Sequence, residues 1–105
     1  MIPATQLDQL PIRVGLGQFQ TPNDSLLAYI KQCGVDDIQM NTALLPGESR
    51  WEYEDLAGLR AQVNKAGLRL MSLENVPVTF YDKIMLGQQG RDEQLDHMVA
   101  TVTNM

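Results

Sequence analysis

The side chains best placed for chemistry are Gln18, Asn41, Glu74 and Asn75, with Tyr81, Lys83 and Arg91 further along the chain. The first four fall just after short apolar segments that read as strands. In α/β barrels the loops at the C-terminal ends of the strands build the active site. Among them Glu74 is the carboxylate. It could orient a substrate hydroxyl or a metal-bound water, or serve only as a helix cap or loop anchor. Gln20, also past the first strand, belongs to the same group by position. Tyr81, Lys83 and Arg91 lie in or next to a connection over 74–90, a length often found in active-site lids. Lys83 or Arg91 could pair with an anionic group on a substrate. Each could equally be a surface cation that ties the loop to a neighbouring helix.

Other apparent motifs have plainer explanations. A metal centre typically needs three or more converging protein ligands, and the sequence holds one His and one Cys. His97 sits in a helical stretch between Leu95 and Met98 and reads as a partly exposed helix residue. Cys33 falls at the end of an apolar helical stripe and reads as a small buried hydrophobe. Gly15-Leu16-Gly17 lacks the third glycine of a dinucleotide fingerprint and lies within a strand, so it marks close packing. Glu52, Glu54 and Asp55 crowd a first helical turn, where the helix dipole favours anions.

The elements that position these residues alternate strand and helix three times. Residues 12–19 alternate at period two, which predicts a strand. Thr21, Pro22 and Asp24 then offer a capping hydroxyl, a first-turn proline and an acidic third position, so a helix is expected. Leu26, Leu27, Ile30 and Cys33 form its buried stripe, and Gly34 lies just past its end. A second strand is expected over 37–41, followed by a turn-rich loop. Leu56, Leu59, Val63 and Ala66 mark a second helix over 51–66, ended by Gly67. A third strand over 68–73 follows, then the long connection. Leu95, Met98, Val99 and Val102 predict the buried face of a last helix from Arg91 to Met105.

This order argues for parallel strands with right-handed crossovers, in the α/β class, as the first three βα units of a (β/α)8 barrel. Residues 1–11 read as a leader and 12–105 as part of one domain. Three strands covered on one face leave the other face bare, so the sequence looks truncated, and self-association through the exposed sheet is expected. The net charge of −5, with eight scattered Lys and Arg residues, gives no footprint for nucleic acid or anionic lipid. No apolar stretch approaches the roughly 20 residues of a spanning helix, and no secretory pattern opens the chain. A cytoplasmic location is expected.

The run Leu44-Leu45-Pro46-Gly47-Glu48-Ser49-Arg50-Trp51-Glu52-Tyr53-Glu54-Asp55-Leu56 resembles the loop and helix after the second strand of mannonate dehydratases, which are xylose-isomerase-like barrels. Leu73-Glu74-Asn75-Val76-Pro77-Val78, Phe80-Tyr81-Asp82-Lys83-Ile84-Met85-Leu86-Gly87 and Gly90-Arg91-Asp92-Glu93-Gln94 resemble the same family after the third strand. The resemblance covers about 12–105, the opening part of the barrel. It implies dehydration of D-mannonate to 2-dehydro-3-deoxy-D-gluconate in hexuronate breakdown, with a divalent metal, manganese or iron. Metal ligands and the main acid/base residues of that family come from later strands, so none is expected here, and the 105-residue chain alone is expected to be inactive. Family members carry histidines in the second loop, where this chain reads Asn41-Thr42-Ala43-Leu44-Leu45. Another follows the Val-Pro, where this chain has Thr79-Phe80-Tyr81. The departures suggest a divergent branch and leave open a different sugar acid as substrate. A sugar isomerase or epimerase on the same barrel and a non-catalytic self-associating module are the alternatives.

Overall fold

A computed structural model describes residues 9–105. Residues 1–8, most of the expected leader, lie outside the described residues. Three parallel strands form one sheet in the order β1 (Gly15–Leu16), β2 (Asp37–Asn41) and β3 (Arg69–Glu74). Helices α1 (Asp24–Gln32) and α2 (Tyr53–Lys65) make the two crossovers, and α3 (Asp82–Leu86) and α4 (Arg91–Asn104) follow β3. Among the described residues, no helix is long and apolar enough to cross a membrane.

Helix α1 begins two residues later than Thr21 and Pro22 suggested. Asn23 is extended, and its side-chain oxygen accepts the Leu26 N–H at 2.9 Å, so the carboxamide takes the capping role and Pro22 precedes it. Leu27 and Ile30 are buried as expected, but Cys33 is exposed. It lies past the last helical residue, where Gly34 at φ 83° turns the chain toward β2. Strand β1 is far shorter than 12–19. Only Gly15 and Leu16 pair with β2, and Ile12 and Val14 are exposed. Beyond the pairing, Phe19 and Gln20 carbonyls still accept the Asn41 and Leu44 N–H groups at 3.1 Å.

Ile38 and Met40 point to the helices and are fully buried with Leu27, Ile30, Leu59, Val63 and Leu68. Asp37, Gln39 and Asn41 therefore occupy the opposite face. In β3 the alternation is interrupted. Leu70 pairs with Ile38 and Ser72 with Gln39, so Met71 is an extra residue, a β-bulge. The bulge lets Leu70 and Leu73, three positions apart, both pack on the core. It also turns Ser72 and Glu74 onto the face of Gln39 and Asn41. Without it, strict alternation from Arg69 would send Glu74 into the helix layer.

The open sheet face is polar. Its lower end is an ion cluster in which Arg69 Nε and Nη2 donate to the two Asp37 oxygens at 3.1 Å, and Arg13 Nε lies 3.2 Å from Asp37. Apart from the half-exposed Met71 on this face, the apolar exposure lies elsewhere. Helix α4 buries Gln94 and Thr101 and rests Met98 on the core, while Leu95, Val99 and Val102, expected inside, are exposed. The reason is polar: α4 docks through side-chain hydrogen bonds. Thr101 Oγ1 accepts the Trp51 N–H at 3.3 Å, and Asn104 Nδ2 donates to the Trp51 carbonyl at 2.9 Å.

Candidate functional site at the strand ends

The C-terminal ends of the three strands bring four of the sequence candidates together. Asn75 Nδ2 donates to Asn41 Oδ1 at 3.2 Å, and Asn41 Nδ2 donates to Gln18 Oε1 at 3.4 Å. These three carboxamides form a chain across the mouth of the sheet. Beside it, Gln39 Nε2 donates to Glu74 Oε2 at 2.9 Å, and Ser72 Oγ donates to Gln39 Oε1 at 2.8 Å. An ionised carboxylate only accepts, so the Gln39 amide must present its NH2 to Glu74. The Ser72 hydroxyl stabilises that orientation by occupying the other end.

The backbone is unusual at the same place. Thr42 at φ 45° and Asn75 at φ 60° are left-handed without being glycine. Asn adopts this region readily, but a β-branched residue there costs on the order of 1–3 kcal/mol. Two contacts hold Thr42. Its N–H donates to the Glu74 carbonyl at 2.8 Å, and its hydroxyl to Asn41 Oδ1 at 3.0 Å. The left-handed residues thus follow Asn41 and Glu74 directly and tie the ends of β2 and β3 together. An open groove of about 410 Å³ runs beside the cluster, lined by Gly15, Leu16, Gly17, Gln18, Gln39 and Met71. Gly17 is needed for close approach, since a Cβ there would sit 2.7 Å from the Gln39 carbonyl oxygen.

Tyr81, Lys83 and Arg91 are not part of this cluster. The connection after β3 is ordered, with a 3-10 turn over Val78–Phe80 and then α3. Tyr81 is half-buried at the start of α3, the Lys83 side chain lies along Gly90, and Arg91 Nε is 3.4 Å from Asp92. The organiser here is Gln94, buried in α4. Its Oε1 accepts the Lys83 and Ile84 N–H groups at 3.0 and 3.2 Å, and its Nε2 donates to the Thr79 carbonyl at 3.0 Å and Asp82 Oδ1 at 2.6 Å. A side chain from α4 thereby caps α3, whose own cap residue supplies no such bond.

The Gln94 hydrogen bond holds the Asp82 carboxyl below its ordinary range, assisted by the Lys83 N–H and charge. A carboxyl depressed in the folded state stabilises the fold fully above its unfolded value. That contribution is lost as pH falls from about 4 through the lowered folded value. Replacing Gln94 by Leu is expected to move the Asp82 titration, followed by carboxyl carbon NMR, back toward the ordinary range. It should also reduce amide protection in α3. An unchanged titration would show that Gln94 does not govern Asp82.

Sequence reasoning missed Gln39, Ser72 and Thr42. The first two lie inside strands, and only the bulge places Ser72 beside Gln39. The signal was present in the spacing of Leu70 and Leu73, which a regular strand cannot put on one face. Among the described residues no three His, Cys, Asp or Glu side chains converge, and the neighbours of Glu74 are amides and a hydroxyl. This set does not fit a metal centre. It can accept and donate hydrogen bonds to a polar ligand.

A profile of D-mannonate dehydratase (UxuA) matches residues 16–105. A mannonate dehydratase of Geobacillus thermodenitrificans is 32% identical over 80 residues, covering 75% of this chain and 21% of that protein. One from Streptococcus agalactiae is 36% identical over 55 residues, 52% of this chain and 15% of that protein. The crystal structure of mannonate dehydratase from Streptococcus suis serotype 2 superposes with a TM-score of 0.66 at 22% identity, covering 85% of this chain and 27% of that one. The last likeness concerns the fold, and it matches the partial barrel seen here. The chain spans roughly a fifth of the length of the curated relatives it matches, 15% and 21% in these two.

Proposed function

Because the chain belongs to the D-mannonate dehydratase (UxuA) family, we propose that it forms part of the substrate site of a hydro-lyase that converts D-mannonate, or a related sugar acid, to the 2-dehydro-3-deoxy acid. In that reaction a proton leaves the carbon beside the carboxylate and a hydroxyl departs from the next carbon as water. The observation that carries the reading is the assembly of Gln18, Asn41, Asn75 and Glu74 at the strand ends, where barrel enzymes bind substrate. These side chains bind and orient hydroxyl groups. The proton-transfer groups and the ligands of a divalent metal, manganese or iron, are assigned to parts of such an enzyme outside this segment. The 105-residue chain is accordingly inactive by itself, and the protein acts in the cytoplasm in hexuronate breakdown.

The second reading, a self-associating module, is favoured by the exposed Leu95, Val99 and Val102 of α4 rather than by the polar sheet face. A graft separates the two. Residues 16–105 are placed in the Geobacillus thermodenitrificans enzyme in exchange for the matching segment, and the product is loaded with manganese. Formation of a 2-oxo acid from D-mannonate is expected. A folded, metal-loaded graft that yields no 2-oxo acid overturns the dehydratase reading. One that interconverts sugars without losing water points to an isomerase or epimerase.

A further inference from the structure

We infer that the strand-end cluster recognises the polyol end of the sugar acid and holds its carboxylate away, an inference that rests on the dehydratase reading above. The cluster is made of carboxamides, hydroxyls and one carboxylate. Asn41 both donates and accepts within the chain from Asn75 to Gln18, and a sugar hydroxyl, which also does both, can extend that chain at either end. Glu74 contributes only acceptor oxygens, which suit a hydroxyl proton and repel a second carboxylate.

Cations that could offset this repulsion are placed elsewhere. On the same sheet face, Arg13 and Arg69 gather on Asp37, at the other end of β2. Asp37 and Asn41 are separated by four strand steps, roughly 13 Å at about 3.3 Å per residue. That exceeds the Debye length of about 10 Å at 0.1 M salt. Lys83 and Arg91 are engaged at the junction of α3 and α4, along Gly90 and beside Asp92. Recognition of a carboxylate normally uses the fork of an arginine or the ammonium of a lysine. The cluster offers neither. The bulge at Met71 sets this specificity, because it is what turns Glu74 onto the open face.

The test uses the 105-residue chain labelled with nitrogen-15, at about 0.1 M salt where the distant arginines are screened, and follows the side-chain amides of Gln18, Gln39, Asn41 and Asn75. Mannitol, D-mannonate and hexanoate are titrated separately. Mannitol is expected to shift these amides at several-fold lower concentration than D-mannonate, and hexanoate to leave them in place. Glu74→Gln, which keeps the shape and removes the charge, is expected to bring the two polyols to nearly equal affinity. The inference is overturned if hexanoate moves the amides, if D-mannonate binds wild type more tightly than mannitol, or if neither polyol moves them. The wild-type arms decide the matter even if the variant does not fold. A mannitol response in a chain whose graft fails to dehydrate D-mannonate would remove the reaction and leave polyol recognition standing.

Discussion

Trp51→Ala is expected to lower the unfolding free energy by about 3–5 kcal/mol, the cost typical of deleting a large buried aromatic. Trp51 is fully buried and meets Phe80 edge-on, with ring centroids 5.9 Å apart at 72°. Phe80 belongs to the 3-10 turn after β3, and the Trp51 backbone is hydrogen-bonded by Thr101 and Asn104 of α4. The ring of Trp51 therefore joins the start of α2 to the turn after β3, and its backbone ties the same point to α4. Against a total stability of about 5–15 kcal/mol for a typical domain, the loss is a large fraction. Trp51→Phe should recover part of it. Urea unfolding followed by circular dichroism measures both, and a loss below about 1 kcal/mol for the alanine variant would contradict the placement of Trp51 at the centre of the core.

Asp37→Ala is expected to cost about 2–4 kcal/mol, by a different route. Asp37 is 2% exposed and receives Arg69 through two hydrogen bonds, with Arg13 beside it. Removing one partner of a buried ion pair costs about 3–5 kcal/mol because the other charge is left uncompensated. Here the two arginines are about a third exposed and each keeps a further interaction besides Asp37, so they remain partly compensated in the variant and the figure falls below that range. Asp37→Asn keeps the shape and should lose most of the same energy, which isolates the charge from the packing. Asp37 buried between two guanidiniums should also be weakly screened, so 1 M salt should change wild-type stability less than the substitution does. Equal stability of wild type and Asp37→Asn would contradict a structural role for the cluster.

The residues that could be read in advance are those governed by local rules. The second strand falls on 37–41, where it was expected, and Leu56, Leu59 and Val63 bury the face of α2 that their spacing marks. Gly34 ends its segment with the left-handed backbone that only glycine adopts freely. What could not be read depends on contacts distant in sequence. Helix α4 turns Leu95, Val99 and Val102 outward because Gln94 and Thr101 find partners in α3 and at Trp51, and hydropathy spacing carries no trace of those partners. Cys33 is outside because the helix stops one residue before it. The candidate site was half legible. Its strand-end members Gln18, Asn41, Glu74 and Asn75 followed from position alone. Gln39 and Ser72 needed the bulge, and Tyr81, Lys83 and Arg91 were grouped by a connection whose length concealed an ordered turn and helix.

If the strand-end cluster binds the sugar acid, its carboxylate should matter to turnover and not to folding. In the manganese-loaded graft, Glu74→Gln removes a charged acceptor of about 1.5–3 kcal/mol, so kcat/KM for D-mannonate is expected to fall about 10- to 100-fold, with metal content and unfolding midpoint unchanged. A graft whose kcat/KM is the same with Glu74 or with Gln at this position would show that the cluster is not part of the substrate site.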